Sequence, residues 1–160
     1  GSCFPKDVHA LIAKAEDLGV NPRILKEVSR VNDEQPLKLL DLLEKHIPNL
    51  EDKKIGLLGL AFKPNTDDVR DSRAAPLVDE LLRKGATVLA YDPMAMGNFK
   101  KLYPKIEYVS SADSVLEADA ILIATEWKDF EDLDYRNKIV IDGRRVKKAR
   151  EGSIYEGVCW

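Results

Sequence analysis

The stretch KKIGLLGLAF, residues 53–62, decides the fold. From Ile55 to Phe62 every position is apolar or glycine, with two lysines in front and Lys63 behind. Such a run is too short to span a membrane and too continuous for a strand with one wet face. It reads as a parallel strand covered on both faces, bounded by charge.

Downstream of it, strand and helix signals alternate. APLVDELLRKG (75–85) is an amphipathic helix closing at Gly85, and ATVLAYDP (86–93) a second strand closed by Asp92-Pro93. KIEYVS (105–110) is a short third strand, followed by SADSVLEA (111–118), a short helix opened by Ser111. DAILIAT (119–125), KIVIDG (138–143) and SIYEGV (153–158) complete six strands. Strands separated by helices imply βαβ units with right-handed crossovers. The expected fold is α/β, a Rossmann-like doubly wound parallel sheet over residues 51–160.

Upstream, residues 1–50 carry helical periodicity alone. VHALIAKAEDLG (8–19) has a Pro5 suited to a first turn and a Gly19 suited to a C-terminal cap. In NPRILKEVSRVNDEQPLKLLDLLEKHI (21–47), Asn21 reads as an N-cap and Pro22 as the first helical residue. Ile24, Leu25, Val28, Val31, Leu39, Leu42, Leu43 and Ile47 form a wide apolar stripe that Pro36 should kink or divide. Two helices cannot bury that stripe between them. Either a second copy or another domain covers it, which makes this a helical dimerisation segment, or the sheet domain of the same chain does.

Composition bounds the partners. The chain has 160 residues, 44% hydrophobic and 33% charged, with net charge −3. Nothing in that balance favours nucleic acid or an anionic membrane surface. Two cysteines, Cys3 and Cys159, make no disulfide framework in a chain of this size, so a reducing cytoplasm is expected. His9 and His46 read as helix-surface residues, Asp132 and Asp134 as surface or capping groups, and no metal cluster is visible. Cys159 reads as a structural or free thiol, and Trp127 as packing at a strand end near the rim.

Open parallel sheets bind ligands beyond the carboxyl ends of their strands. The loops there are FKPNTDDVRDS (62–72), TEWKDF (125–130) and DGRRVKK (142–148). Gly56 and Gly59 lack the third glycine of a dinucleotide fingerprint, and Asp92 lies too far along for its acidic partner, so this sheet is not the principal nicotinamide site. Lys63 and Arg70, close to a helix start, are either solvated cations or an anion site. Arg144, at the same rim, favours a bound phosphate or diphosphate.

SCFPKD (2–7), GLLGLAFKPNTDDVRDS (56–72), YDP, ATEW and DGRR, in this order, resemble the UDP-glucose/GDP-mannose dehydrogenase family over essentially the whole chain. Members have an N-terminal NAD-binding domain, a central helical dimerisation region and a C-terminal UDP-sugar-binding domain. The resemblance covers the last two, and a missing N-terminal domain is expected upstream. It implies oxidation of a nucleotide sugar, UDP-glucose to UDP-glucuronate, by two hydride transfers to NAD, and through the product a supply to surface polysaccharides. Cys3 matches the nucleophile that forms the thiohemiacetal and thioester, and Asp7 the carboxylate that assists hydrolysis. Its place before a helix beside Lys6 suits a thiolate. Phe62, Lys63 and Arg144 match substrate-binding residues. Lys6 and Arg70 match cofactor contacts, with a salt bridge to Asp67, Asp68 or Asp71 as the plain alternative for Arg70. Without the N-terminal domain the chain alone should be inactive. UDP-N-acetylmannosamine or GDP-mannose remains an alternative substrate, and a nucleotide-binding dimerisation module without catalysis an alternative role.

Overall fold

A computed structural model describes residues 3–158, the side chain of Cys3 excepted. The reading of the Cys3 thiol and that of Cys159 lie outside the described residues.

Three helices lead in: α1 (Cys3–Asp17), α2 (Arg23–Glu34) and α3 (Lys38–His46). Pro5 sits in the first turn of α1, and Gly19, at φ +73°, turns the chain after it. The expected N-cap on Asn21 is corrected: Pro22 holds the capping position, no side chain caps α2, and the helix begins at Arg23. Proline cannot start the intrahelical hydrogen-bond ladder with its own nitrogen, so nothing is lost by this placement. Pro36 divides the second segment as expected. Residues Gln35–Leu37 tighten into a 3₁₀ turn between α2 and α3.

The sheet follows: β1 (Lys54–Leu58), α4 (Ala74–Arg83), β2 (Thr87–Tyr91), α5 (Met96–Leu102), β3 (Glu107–Tyr108), α6 (Ala112–Val115), β4 (Ala120–Ile123), β5 (Ile139–Asp142) and β6 (Ile154–Gly157). The third strand is shorter than KIEYVS suggests because it is an edge strand, paired on one side only. Ser111 caps α6 as expected, its hydroxyl accepting from the Ser114 amide. Helix α5 carries no clear signal in the sequence, since Phe99 is its one buried residue.

All six strands are parallel, in the order β3-β2-β1-β4-β5-β6. The order reverses between β1 and β4, which is the topological switch point. Alternate residues of the central strands feed two cores. Ile55, Leu57, Ala120 and Leu122 face the first, together with Leu77, Val78 and Leu81 of α4 and Phe99 of α5. Leu58, Ile121, Ile123 and Val140 face the second, with Val115 of α6, Phe130 and Tyr135. The connections from β4 to β5 and β5 to β6 contain only 3₁₀ turns, Lys128–Glu131 and Lys148–Glu151, whose Phe130 and Ala149 pack on the second core. The first face of β5 and β6 therefore receives no crossover helix of its own. Helix α3 lies there, with Leu39, Leu40 and Leu43 buried in the first core.

Candidate functional site

The carboxyl edge of the sheet is organised by two buried aspartates, each the last polar residue of a strand or the first beyond it. Asp92, after β2, accepts from the Met94 and Ala95 amides on Oδ1 at 2.9 and 2.8 Å. Its Oδ2 accepts from Leu60 and Ala61 at 2.7 and 3.1 Å and from the Trp127 indole at 3.2 Å. Asp142, ending β5, accepts from the Arg144 and Arg145 amides at 2.6 and 3.0 Å, and from Val146 and the Tyr155 hydroxyl at 2.8 and 3.1 Å. Burial raises the Asp142 pKa, and these donors, led by the Arg144 amide, oppose the rise. A buried carboxylate needs such partners, and four or five of them leave it none to offer a ribose. Asp92 is thus a loop anchor.

Gly56 of β1 and Gly59 just beyond it are likewise committed. A Cβ on Gly59, whose φ is +85°, would stand 2.2 Å from the Thr125 carbonyl oxygen. A Cβ on Gly56 would meet Val115 at 2.4 Å. Both are spent on backbone and helix packing. Thr125 and Ser72 tie the segment further, their hydroxyls donating to the carbonyls of Ala61 and Leu60 at 2.5 and 2.6 Å.

Three clefts open along this edge. One, of about 480 Å³, lies between the α2–α3 junction and the strand ends, lined by Asn32, Pro36, Phe62, Arg73, Gly143 and Arg144 among others. Arg144 is held there by its amide on Asp142 and by its Nε, which donates to the Ala124 carbonyl at 2.7 Å and lies 3.5 Å from Glu126. A second, of about 560 Å³, is lined by Pro5, Lys6, His9, Arg70, Arg73 and neighbouring residues. A third, of about 520 Å³, at the switch point, includes Pro64, Pro93, Trp127, Arg144 and Arg145.

The residues singled out in the sequence are distributed over these clefts unevenly. Phe62 and Arg144 share the first, and Lys6 and Arg70 the second. Lys63 lines none of the three; it is exposed, with its ammonium 5.3 Å from the Phe62 ring centroid. Asp7 is exposed and 4.0 Å from Lys6. Arg70 makes the salt bridge foreseen as its plain alternative: its Nη2 donates to Asp68 at 2.7 Å and its Nε at 3.0 Å. That guanidinium holds the Asp68 carboxyl at about 2, well below the ordinary range. Sequence reasoning does not single out Arg73, which lines two of these clefts, or the anchoring role of Asp92 and Asp142; the Y-D-P and I-D-G strand endings are the signal that could have marked the two anchors.

A six-stranded parallel sheet in 3-2-1-4-5-6 order, with cation-bearing clefts at its carboxyl edge, defines a doubly wound nucleotide-binding type of protein. Residues 56–149 match the UDP binding domain of the UDP-glucose/GDP-mannose dehydrogenase family, and residues 1–34 match that family's central domain. The chain belongs to the UDP-glucose/GDP-mannose dehydrogenase family. It is 49% identical to UDP-glucose 6-dehydrogenase AglM of Haloferax volcanii over 99% of its length and 38% of the relative's. It is 39% identical to the UDP-glucose 6-dehydrogenase of Rickettsia bellii over 94% of its length and 37% of that protein's. Among solved structures, a UDP-glucose dehydrogenase from Pyrobaculum islandicum matches with a TM-score of 0.96 and 48% identity, covering all of this chain and 38% of that one. A GDP-mannose dehydrogenase from Pseudomonas aeruginosa matches with a TM-score of 0.81 and 29% identity, over all of this chain and 39% of the other. The chain spans a little over a third of the length of these relatives. Among the described residues no helix is long and apolar enough to cross a membrane.

Proposed function

We propose that this chain is the substrate-binding part of an NAD-dependent UDP-glucose 6-dehydrogenase, working in the cytoplasm with an N-terminal NAD-binding domain that precedes it. Residues 1–50 form the end of the central dimerisation domain and 51–160 the UDP-sugar domain. The observation that carries the reading is one cleft lined by Phe62 and Arg144, which come from two strand ends flanking the switch point. A cleft of about 480 Å³ is the size that binds a small ligand, and the Phe62 ring offers a face while Arg144 offers charge-assisted hydrogen bonds.

In this reading Arg144 holds the diphosphate, Phe62 packs against the nucleotide, and Lys63 adds charge from outside the cleft. Lys6 and Arg70 line a neighbouring cleft, Lys6 exposed and Arg70 paired with Asp68, and exchange of that carboxylate for a phosphate would let the two cations hold the phosphates of NAD. Bound NAD supplies the acceptor for hydride from the sugar C6 in each of two oxidations. The Cys3 thiolate adds to the aldehyde left by the first oxidation, and the aldehyde oxygen takes up a proton. Loss of a hydride from its carbon and of the proton from its hydroxyl would turn that thiohemiacetal into a thioester, which water would cleave, releasing the Cys3 thiolate, while Asp7 accepts the water's proton. In this reading turnover needs the NAD-binding domain, and residues 1–160 alone turn nothing over. Identities of 48–49% with UDP-glucose dehydrogenases, against 29% with the GDP-mannose enzyme, favour UDP-glucose over other nucleotide sugars. The exposed apolar face of α2 favours a homodimer through the N-terminal helices.

Calorimetric titration of UDP into this chain tests the site. Arg144→Ala should weaken binding at least about tenfold, the loss of one charge-assisted contact. Equal affinity in both proteins contradicts the site. In the full-length protein Cys3→Ala should abolish turnover, and undiminished turnover contradicts the mechanism.

A further inference from the structure

Among the described residues, one side chain belongs to both the cleft of Phe62 and Arg144 and the cleft of Lys6 and Arg70. It is Arg73. It stands immediately before α4, its backbone at φ −73° and ψ −10°, on the segment that Ser72 fastens to the chain just beyond β1 through the Leu60 carbonyl. Its side chain is about one quarter exposed, so it is held near the wall and kept within reach of solvent. Its ion-pair contact with Asp33, at the end of α2, is loose at 4.0 Å and reaches a carboxylate that is itself mostly exposed. An exposed pair of that length stabilises little and is readily exchanged for a better anion.

Diphosphates carry two adjacent charged groups, and one guanidinium cannot pair with both in bidentate geometry. Arg144 enters the first cleft from β5. Lys63, the other cation in the sequence motif, is not among its lining residues. The remaining cation on its walls is Arg73, on the side that leads to the Lys6 cleft. A phosphate extending past Arg144 toward the Lys6 cleft would meet Arg73.

We propose that Arg73 is a second diphosphate-binding residue, its guanidinium leaving Asp33 to take the phosphate farther from the nucleoside. This rests on the reading of the cleft as a nucleotide-sugar site. It makes the α2–α3 junction and the sheet edge two walls bridged through one bound ligand.

The test compares UDP with UMP, which lacks the outer phosphate, on this chain and on Arg73→Ala, Arg73→Lys, Asp33→Asn and Arg144→Ala. Arg73→Ala should weaken UDP about tenfold or more while changing UMP less than about threefold. Arg73→Lys, which keeps the charge, should recover part of the loss, and Asp33→Asn should leave UDP as tight or tighter. Equal losses on UDP and UMP would mean a general structural role and overturn the assignment. So would unchanged UDP affinity in Arg73→Ala alongside a loss in Arg144→Ala, an outcome that leaves the cleft itself intact as a site. Absence of UDP binding by the unsubstituted chain overturns both.

Discussion

Helices α2 and α3 come from one continuous apolar stripe, yet they end in opposite environments. On α3, Leu39, Leu40 and Leu43 are buried, Leu43 completely. On α2, Ile24, Val28 and Val31 are 80%, 52% and 53% exposed, and no residue is buried. The 3₁₀ turn at Pro36 is where the chain reaches the sheet. What separates the two helices is the handedness of the crossovers. With right-handed connections, the strands on the β4 side send their links across the second face, and the first face of β5 and β6 is left for another element. Helix α3 fills it, joined to β6 by His46 and Lys45, both paired with Glu156. Helix α2 runs past the sheet edge with α1 as its neighbour, and the groove along Ile24, Val28 and Val31 stays uncovered. A helix that is apolar on one face and buried on none is unfinished without a partner.

The difference is measurable in stability. Leu43→Ala should cost about 2–5 kcal/mol in denaturant unfolding, as for other fully buried leucines. Ile24→Ala should change stability by no more than about 0.5 kcal/mol under conditions where the chain is monomeric. Comparable losses at both positions would break the distinction. Val28→Asp sharpens it from the other side. It should shift the sedimentation of the chain to that of a monomer and leave the unfolding of the sheet domain nearly unchanged, because Val28 touches no core. A sedimentation profile identical to that of the unsubstituted chain would remove α2 as the proposed dimer surface.

The smallest effect concerns the anchor of α3. His46 first, and Lys45 after it, hold the Glu156 carboxyl below its usual range. A carboxylate with a depressed pKa contributes stability above its unfolded value of about 4.3 and loses it as pH falls through the lower folded value. The gap in unfolding free energy between the chain and Glu156→Gln should therefore be present at pH 6 and close below about pH 4. For a pair this exposed it should be about 1 kcal/mol or less. A gap that widens in acid would contradict the assignment of the anchor.

Much of this is legible in the sequence, for identifiable reasons. The strands announce themselves because both faces are covered, so their apolar runs are unbroken, and Pro36 marks the division of the helical segment. The fates of the two halves of the stripe are not legible, since burial depends on which face of the sheet the crossovers leave empty. Asp92 and Asp142 show the same limit. An acid at a strand end can meet a ribose or its own loop, and only the folded turn decides. Of the residues the motif names, Phe62 and Arg144 line the cleft and Lys63 does not, while Arg73, which the motif does not name, does line it: a side chain's direction in a loop is set by tertiary contacts, among them the Ser72 bond to Leu60 and the packing of Lys63 over Phe62.

One measurement goes to the centre of the account. UDP titrated into the ¹⁵N-labelled chain should shift the backbone amides of Phe62, Arg73, Ala124, Gly143 and Arg144, those lining one cleft beside the α2–α3 junction. Shifts concentrated instead around Trp127 and Lys128, in the cleft at the switch point, would contradict it.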